Sequence, residues 1–301
     1  FTLPEGVDEQ EFLHGLADGL RTADELQSPF GEKLKVGPRG MLGPLYWEKD
    51  TSLDLDYHIR HSALPKPGRF RESFALVSRL HGTLLDRNRP LWEMHLIEGL
   101  PDRQFAVYAK FHHAALDGVG TAHLLQSMWS TDPDGRIHYS PLSMAARDRY
   151  VASLGVDAPA EPELRNVAEA LKATFDSSAN LLGALRKYVG AWTGSGGSLV
   201  VPWQNVPHSA INTKVDGARR FVAQSWPFAR IRAVGKALDG TFNDAVLAMS
   251  AGALRTFLQN HGELPRESLK SMVPVSLRRP GDMDSSNAIG AISADLATNI
   301  A

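Results

Sequence analysis

The stretch from Phe105 to Ser130 constrains this chain more than any other. An apolar strand pattern runs into His112-His113-Ala114-Ala115-Leu116-Asp117-Gly118 and then into an amphipathic helix. Phe105, Val107, Ala109 and Phe111 alternate with Ala106, Tyr108 and Lys110, the period of a strand. Successive strand side chains point to opposite faces, so at its end one imidazole can face a cleft while its neighbour faces the scaffold and fixes the loop. One of the pair is therefore expected to do chemistry. Most of the eleven histidines read differently: His14, His81, His123, His138, His208 and His261 stand alone. His58 and His61 lie in a polar stretch with no carboxylate or cysteine set to complete a metal shell, so no metal is expected.

Composition narrows the function classes. With 301 residues, 43% hydrophobic and 22% charged, the chain is long enough for two domains with sizeable cores. A net charge of −2, without basic runs interleaved with aromatics, leaves no footprint for nucleic acid. The absence of cysteine excludes disulfides, thiolate metal sites and a cysteine nucleophile. Phe1 to Leu20 carries Glu5, Asp8, Glu9, Glu11 and Asp18 and does not read as a signal peptide. The longest charge-free run, Tyr188 to Thr213, is broken by Gly194, Gly196, Gly197, Pro202 and Pro207, so no span is expected and membrane contact would be peripheral. A cytoplasmic location is compatible with all of this. No P-loop or G-x-G-x-x-G follows a strand, and no G-x-S-x-G elbow presents a serine; Ser127 falls on the packed side of its helix.

Periodicity predicts an amphipathic helix over Asp8 to Arg21, strands over Leu42 to Trp47 and Leu53 to Ile59, and a loop at Pro65-Lys66-Pro67-Gly68. A helix follows over Phe70 to Leu85, with Phe74, Val77, Leu80, Leu84 and Leu85 on one face. Trp92 to Glu98 reads as a strand with Trp92, Met94, Leu96 and Glu98 on one face and Glu93, His95 and Ile97 on the other. Gly99 to Arg103 is a tight connection, from which Gln104 to Phe111 returns antiparallel. The helix from Gly118 would bury Val119, Leu124, Leu125 and Met128. After a turn at Asp132 to Gly135, a polar surface segment runs to Glu163. Asn166 to Trp192 reads as a long crossover helix, with lipid contact at an interface as a second reading, and Trp192 to Ser198 as a Gly/Ser linker. Beyond it come a strand over Arg219 to Trp226, a helix over Phe228 to Leu238, a helix over Asp244 to Gln259 capped by Thr241 or Asn243, and strands over Leu269 to Leu277 and Ile289 to Leu296. The expected domains are 1–157, a connecting segment 158–217, and 218–301.

The H-H-x-x-x-D-G run at His112 to Gly118 resembles the signature of the CoA-dependent acyltransferase superfamily, which includes the condensation domains of nonribosomal peptide synthetases and carnitine acyltransferases. Leu85 to Glu93, containing Pro90-Leu91-Trp92, is similar to the P-L-W block of bacterial wax ester synthase/diacylglycerol acyltransferases, and Asn243-Asp244 to their N-D block. Asn287-Ala288-Ile289-Gly290 keeps an N-x-x-G spacing, with Ser286 where glycine is commoner. The resemblance implies an α/β (α+β) chain with the two-domain chloramphenicol-acetyltransferase-like fold, mixed sheets flanked by helices. An initial strand segment and much of the second domain would lie outside this sequence.

The same resemblance implies a long-chain acyl-CoA donor and a fatty alcohol or diacylglycerol acceptor, with CoA entering as substrate and no permanently bound cofactor. An alcohol attacks a thioester rapidly only if a base takes its proton. His113 is the expected base, Asn243 the expected oxyanion donor, and His112 the loop-fixing neighbour. Asp117 would hold the loop by pairing with an arginine, for which Arg278 is one candidate. Gly118, Ala114, Ala115, Pro90, Leu91, Trp92 and Asp244 complete the expected site as support or channel lining. The two substrates would approach from opposite sides of a cleft between the two halves. The competing reading is a condensation-type or catalytically idle domain that handles acyl or peptidyl groups on a carrier protein.

Overall fold

The computed structural model describes residues 1–22, 25–37, 45–129, 140–153, 206–276 and 289–300. The described residues of Phe1–Ala158, together with Asp216–Ala223, form one compact unit; those of Pro159–Val215, Gln224–Leu277 and Ile289–Ala301 form another. The long helix expected over Asn166 to Trp192, the linker after it and the turn at Asp132 to Gly135 lie outside the described residues.

The first unit is built on a three-stranded mixed sheet. β3 (Ile59–Ala63) runs parallel to β4 (Trp92–Leu100), and β4 pairs antiparallel with β5 (Gln104–Phe111). A separate antiparallel pair joins β1 (Glu32–Val36) and β2 (Leu45–Lys49). The helices are α1 (Glu9–Arg21), the single turn α2 (Leu55–His58), α3 (Phe70–Gly82), α4 (Gly118–Met128) and α5 (Met144–Ser153). Asp8 starts α1 by accepting from the Glu11 N–H at 2.9 Å, which satisfies one donor that a helix start would otherwise leave open.

The two faces of the β4–β5 hairpin differ in chemistry, as alternation requires. One face puts Trp92 and Met94 into a core with Phe30, Ile59, Leu124, Met128 and Leu142, and Leu96 and Phe105 into a second with Leu3, Leu13 and Ala17. The opposite face carries Ile97 against Leu64 and Val77, and beside it Glu93 and His95, both buried. Cutting a fully buried leucine such as Leu13 or Leu96 back to alanine would cost about 2–5 kcal/mol.

Four stretches depart from the pattern expected of them. Leu53 to Ile59 is not a strand: Asp54 accepts from the Asp56 and Tyr57 N–H groups and starts the turn α2, so the ladder begins only at Ile59. Helix α3 stops at Gly82, which leaves Leu84 93% exposed; Leu125 of α4 is likewise on the outer side. Ser140 to Ser153 is not a loose surface segment. Backbone bonds from Ser140 N to Thr22 O, Gln27 N to Leu142 O and Met144 N to Glu25 O dock it, burying Leu142 and Ala146. Arg219 to Trp226 pairs with no strand among the described residues; Phe221 instead donates its N–H to Ser78 Oγ at 2.7 Å and meets the Phe74 ring at 5.6 Å.

The described part of the second unit contains a 3₁₀ turn at Ala210–Asn212, α6 (Phe228–Ala237), α7 (Phe242–Asn260) and an antiparallel pair, β6 (Lys270–Ser276) with β7 (Ile289–Asp295). Between α6 and α7 the chain turns so tightly that a Cβ on Gly235 would sit 2.5 Å from the Thr241 carbonyl oxygen. Only glycine fits there without a shift of backbone.

Candidate active site

Strand β5 ends at Phe111, and the two histidines stand in the turn beyond it. The His112 N–H donates to Leu91 O at 2.9 Å, its carbonyl accepts from the Ala115 N–H at 2.8 Å, and its Nδ1 accepts from the Ala114 N–H at 3.1 Å. His112 is thus fixed at three points and half-buried, whereas the His113 side chain is exposed. Ala114 is half-buried and Ala115 almost fully buried.

Asp117, 1% exposed, closes the turn by capping α4: its Oδ1 accepts from the Gly120 N–H at 2.7 Å, and its carbonyl accepts from the Thr121 N–H and Oγ1–H. Gly118, exposed, is the first residue of that helix. Arg278, expected opposite Asp117, lies outside the described residues, as does Asn287.

The Pro90-Leu91-Trp92 block is buried throughout and supplies the other wall of this turn. Besides the Leu91 carbonyl that holds His112, Trp92 donates Nε1–H to Phe30 O at 2.8 Å, stacks on the His58 ring at 4.5 Å between centroids and accepts at its carbonyl from His58 Nδ1–H at 2.7 Å. His58 is fully buried; desolvation, reinforced by the charge of Arg89, depresses its pKa against the opposing effect of that bond.

Behind the turn lies a charged cluster that reading the sequence for chemistry did not single out. Glu93 and Lys110 are cross-strand partners, with Lys110 Nζ 2.5 Å from Glu93 Oε1. Arg60 approaches the same carboxylate at 4.0 Å and His95 Nε2 at 3.8 Å. Burial pushes the Glu93 carboxyl up, but the His95 ring and the Lys110 ammonium outweigh it and hold it at about 2. Burial and that carboxylate together push the Tyr108 phenol up to about 12. The signal was present in the sequence: polar residues at alternate positions of both strands share one face, so they become neighbours once the hairpin closes.

The Asn243-Asp244 block begins α7 in the second unit. Thr241 and Asp244 form a reciprocal capping box, Thr241 N to Asp244 Oδ2 at 2.8 Å and Asp244 N to Thr241 Oγ1 at 3.2 Å. The bonds from Thr241 lower the Asp244 pKa. Asp244 is therefore occupied with starting the helix, while Asn243 is exposed in its first turn. Among the described residues no group of three or more His, Cys, Asp or Glu is placed to hold a metal ion.

Residues 1–246 match the model of the wax ester synthase/diacylglycerol acyltransferase catalytic domain. The chain belongs to that family. A Mycobacterium tuberculosis relative named "Probable diacyglycerol O-acyltransferase tgs2" is 40% identical over 100% of this chain and 64% of its own length. The solved wax ester synthase/diacylglycerol acyltransferase from Marinobacter aquaeolei VT8 is 35% identical, with a TM-score of 0.68 over 100% of this chain and 61% of that one. The first condensation domain of the CDA synthetase shares the fold at 13% identity, with a TM-score of 0.50 over 95% of this chain and 61% of that one. Membership in this family carries the expected fold, mixed α/β with small sheets flanked by helices. The chain spans a little under two thirds of the relatives it matches.

Proposed function

We propose that the protein is an O-acyltransferase that moves a long-chain fatty acyl group from acyl-CoA to a fatty alcohol, giving a wax ester, or to diacylglycerol, giving a triacylglycerol. The observation that carries the reading is the exposed His113 beside a His112 held at three points, in a chain of this family. Imidazole is the side chain that ordinarily takes up and releases a proton near neutral pH. His113 would accept the hydroxyl proton as the oxygen attacks the thioester carbonyl, then return it to the departing sulfur as the C–S bond breaks. The products are ester and free CoA, and no acyl-enzyme forms. Asn243 would donate to the oxyanion of the tetrahedral intermediate, where a hydrogen bond lowers the barrier more than it stabilises the ground state.

Such acceptors partition into lipid, so the enzyme would work from the cytoplasm in peripheral contact with the inner membrane or lipid inclusions. Among the described residues no helix is long and apolar enough to cross a membrane. Palmitoyl-CoA with hexadecanol or diacylglycerol, followed by CoA release, tests the reading. The parent should turn over and His113→Ala should lose about 10²–10⁴-fold. Parental turnover in His113→Ala would refute the role of His113. Transfer only from an acyl group tethered to a carrier protein would establish the condensation-type alternative instead.

A further inference from the structure

The Lys110 ammonium has three protons, and each has an acceptor: Glu93 Oε1 at 2.5 Å, Leu80 O at 2.8 Å and Thr83 O at 2.8 Å. The last two are carbonyls at the end of α3, whose C-cap is Thr83 rather than glycine and whose last turn carries Arg79 and His81. One side chain therefore ties together β4, β5 and the C-terminus of α3. It does so three residues before His113, on the strand that delivers the histidine turn.

A buried ion pair is a poor way to obtain stability, because desolvating both charges consumes most of their attraction, and apolar residues of the same size do as well or better. What such a pair supplies is register, since a charge that slips by one residue loses its partner and turns to the opposite face. Register needs a local determinant here. At its closed end the β4–β5 ladder is irregular between Ile97 and Leu100, so the alignment at the open end is not simply inherited from the turn. At the open end the last pair is Trp92 with Phe111, the pair before it is Glu93 with Lys110, and the next bond along is His112 N to Leu91 O. The ion pair thus stands two rungs from the bond that seats the histidine turn, with only Trp92 and Phe111 between them.

We propose that Glu93 and Lys110 are positioning residues for acyl transfer, setting the β4–β5 register and docking α3 so that the His112-His113 turn is held in its reactive geometry. The inference rests on the assignment of His113 as the base. It assigns both residues a role through the histidine turn and not through contact with substrate.

The test uses the full-length protein with palmitoyl-CoA and hexadecanol, and compares Lys110→Met, the double variant Glu93→Met/Lys110→Met, His113→Ala, and each Lys110 variant combined with His113→Ala. The double variant removes both members of the pair and leaves the Leu80 and Thr83 carbonyls without their donor, so it should melt below the parent but above Lys110→Met, which also strands the buried Glu93 carboxylate. Its kcat should fall by up to about 10²-fold, the scale that small misplacements of a catalytic group produce, with KM for palmitoyl-CoA little changed. In the His113→Ala background the same substitutions should change the residual rate by less than about two-fold, because the group they position is gone. A double variant that keeps parental kcat would overturn the inference. So would an equal proportional loss with and without His113, which would mark a general structural defect. Parental turnover by His113→Ala would overturn the proposed base and this inference together, whereas loss in His113→Ala with parental kcat in the double variant overturns this inference alone.

Discussion

His112 gives its Nδ1 lone pair to the Ala114 N–H, so in the neutral ring the proton sits on Nε2. That bond fixes both the tautomer and the tilt of the turn, and it separates two histidines that are identical in the sequence. His112→Ala should cost about 1 kcal/mol through the lost acceptor and lower turnover through loop position. Asparagine carries an oxygen close to the place of Nδ1, so His112→Asn should recover much of that stability and part of the rate. Thermal melting and steady-state CoA release on the two variants check this; equal losses for both would show that the Ala114 bond contributes nothing. Trp92 is fixed with comparable redundancy, by Phe30 O, the His58 ring and its own carbonyl, which makes the Pro90-Leu91-Trp92 block a wall for the histidine turn.

Helix starts carry two of the three family blocks in this chain. Asp117 caps α4 immediately after the histidines, and Asp244 completes the capping box of α7 beside Asn243. The capping role separates Asp244 from its neighbour. Asp244→Ala should lower the melting temperature modestly, through loss of the N3 half of the capping box, and lower turnover only as far as α7 frays. Asn243→Ala should melt like the parent and lose about 10²–10³-fold in kcat if it supplies the oxyanion donor. A melting curve and a rate for each variant decide it, and a stable but inactive Asp244→Ala would reverse the assignment. These elements were legible for a physical reason. Periods of 3.6 and 2 marked α1, α3, α7 and the β4–β5 hairpin because one face of each is buried. The period failed where a local or distant bond overrode it. Asp54 diverts Leu53 to Ile59 into a helical turn, backbone bonds to residues 22–27 dock Ser140 to Ser153, and Arg219 to Trp226 alternates without a neighbouring strand among the described residues. The Glu93 and Lys110 pair was spelled out in the alternation, but its meaning depends on a register that only the closed hairpin displays.

For the molecule as a whole, the buried titratable groups make stability depend on pH in one direction. The Glu93 carboxyl, about 4.5 when free and held at about 2 here, contributes stability that is complete above its unfolded value and lost as pH falls toward 2. Asp50 has the same sign: burial raises its carboxyl, but Lys33 at 2.8 Å and the Ser52 N–H and hydroxyl lower it overall. His58 acts earlier in an acid titration. Its folded pKa is depressed, so below about 6.5 the unfolded chain takes up a proton that the buried ring refuses. Stability should therefore be flat from neutral pH upward through the mildly alkaline range as far as these groups are concerned. It should begin to fall below about 6.5 on account of His58, and fall more steeply below about 4.5, where the unfolded chain takes up protons at Glu93 and then Asp50 that the folded chain still refuses. Urea unfolding midpoints measured from pH 8 to pH 4 give the curve, and His58→Phe assigns its upper part. Phenylalanine keeps the stack on Trp92 but cannot titrate, so the variant pays for the lost bond to the Trp92 carbonyl at every pH while its midpoint stays level between pH 6.5 and 5. If the variant loses as much between those two values as the parent does, the acid sensitivity of that window does not arise at His58.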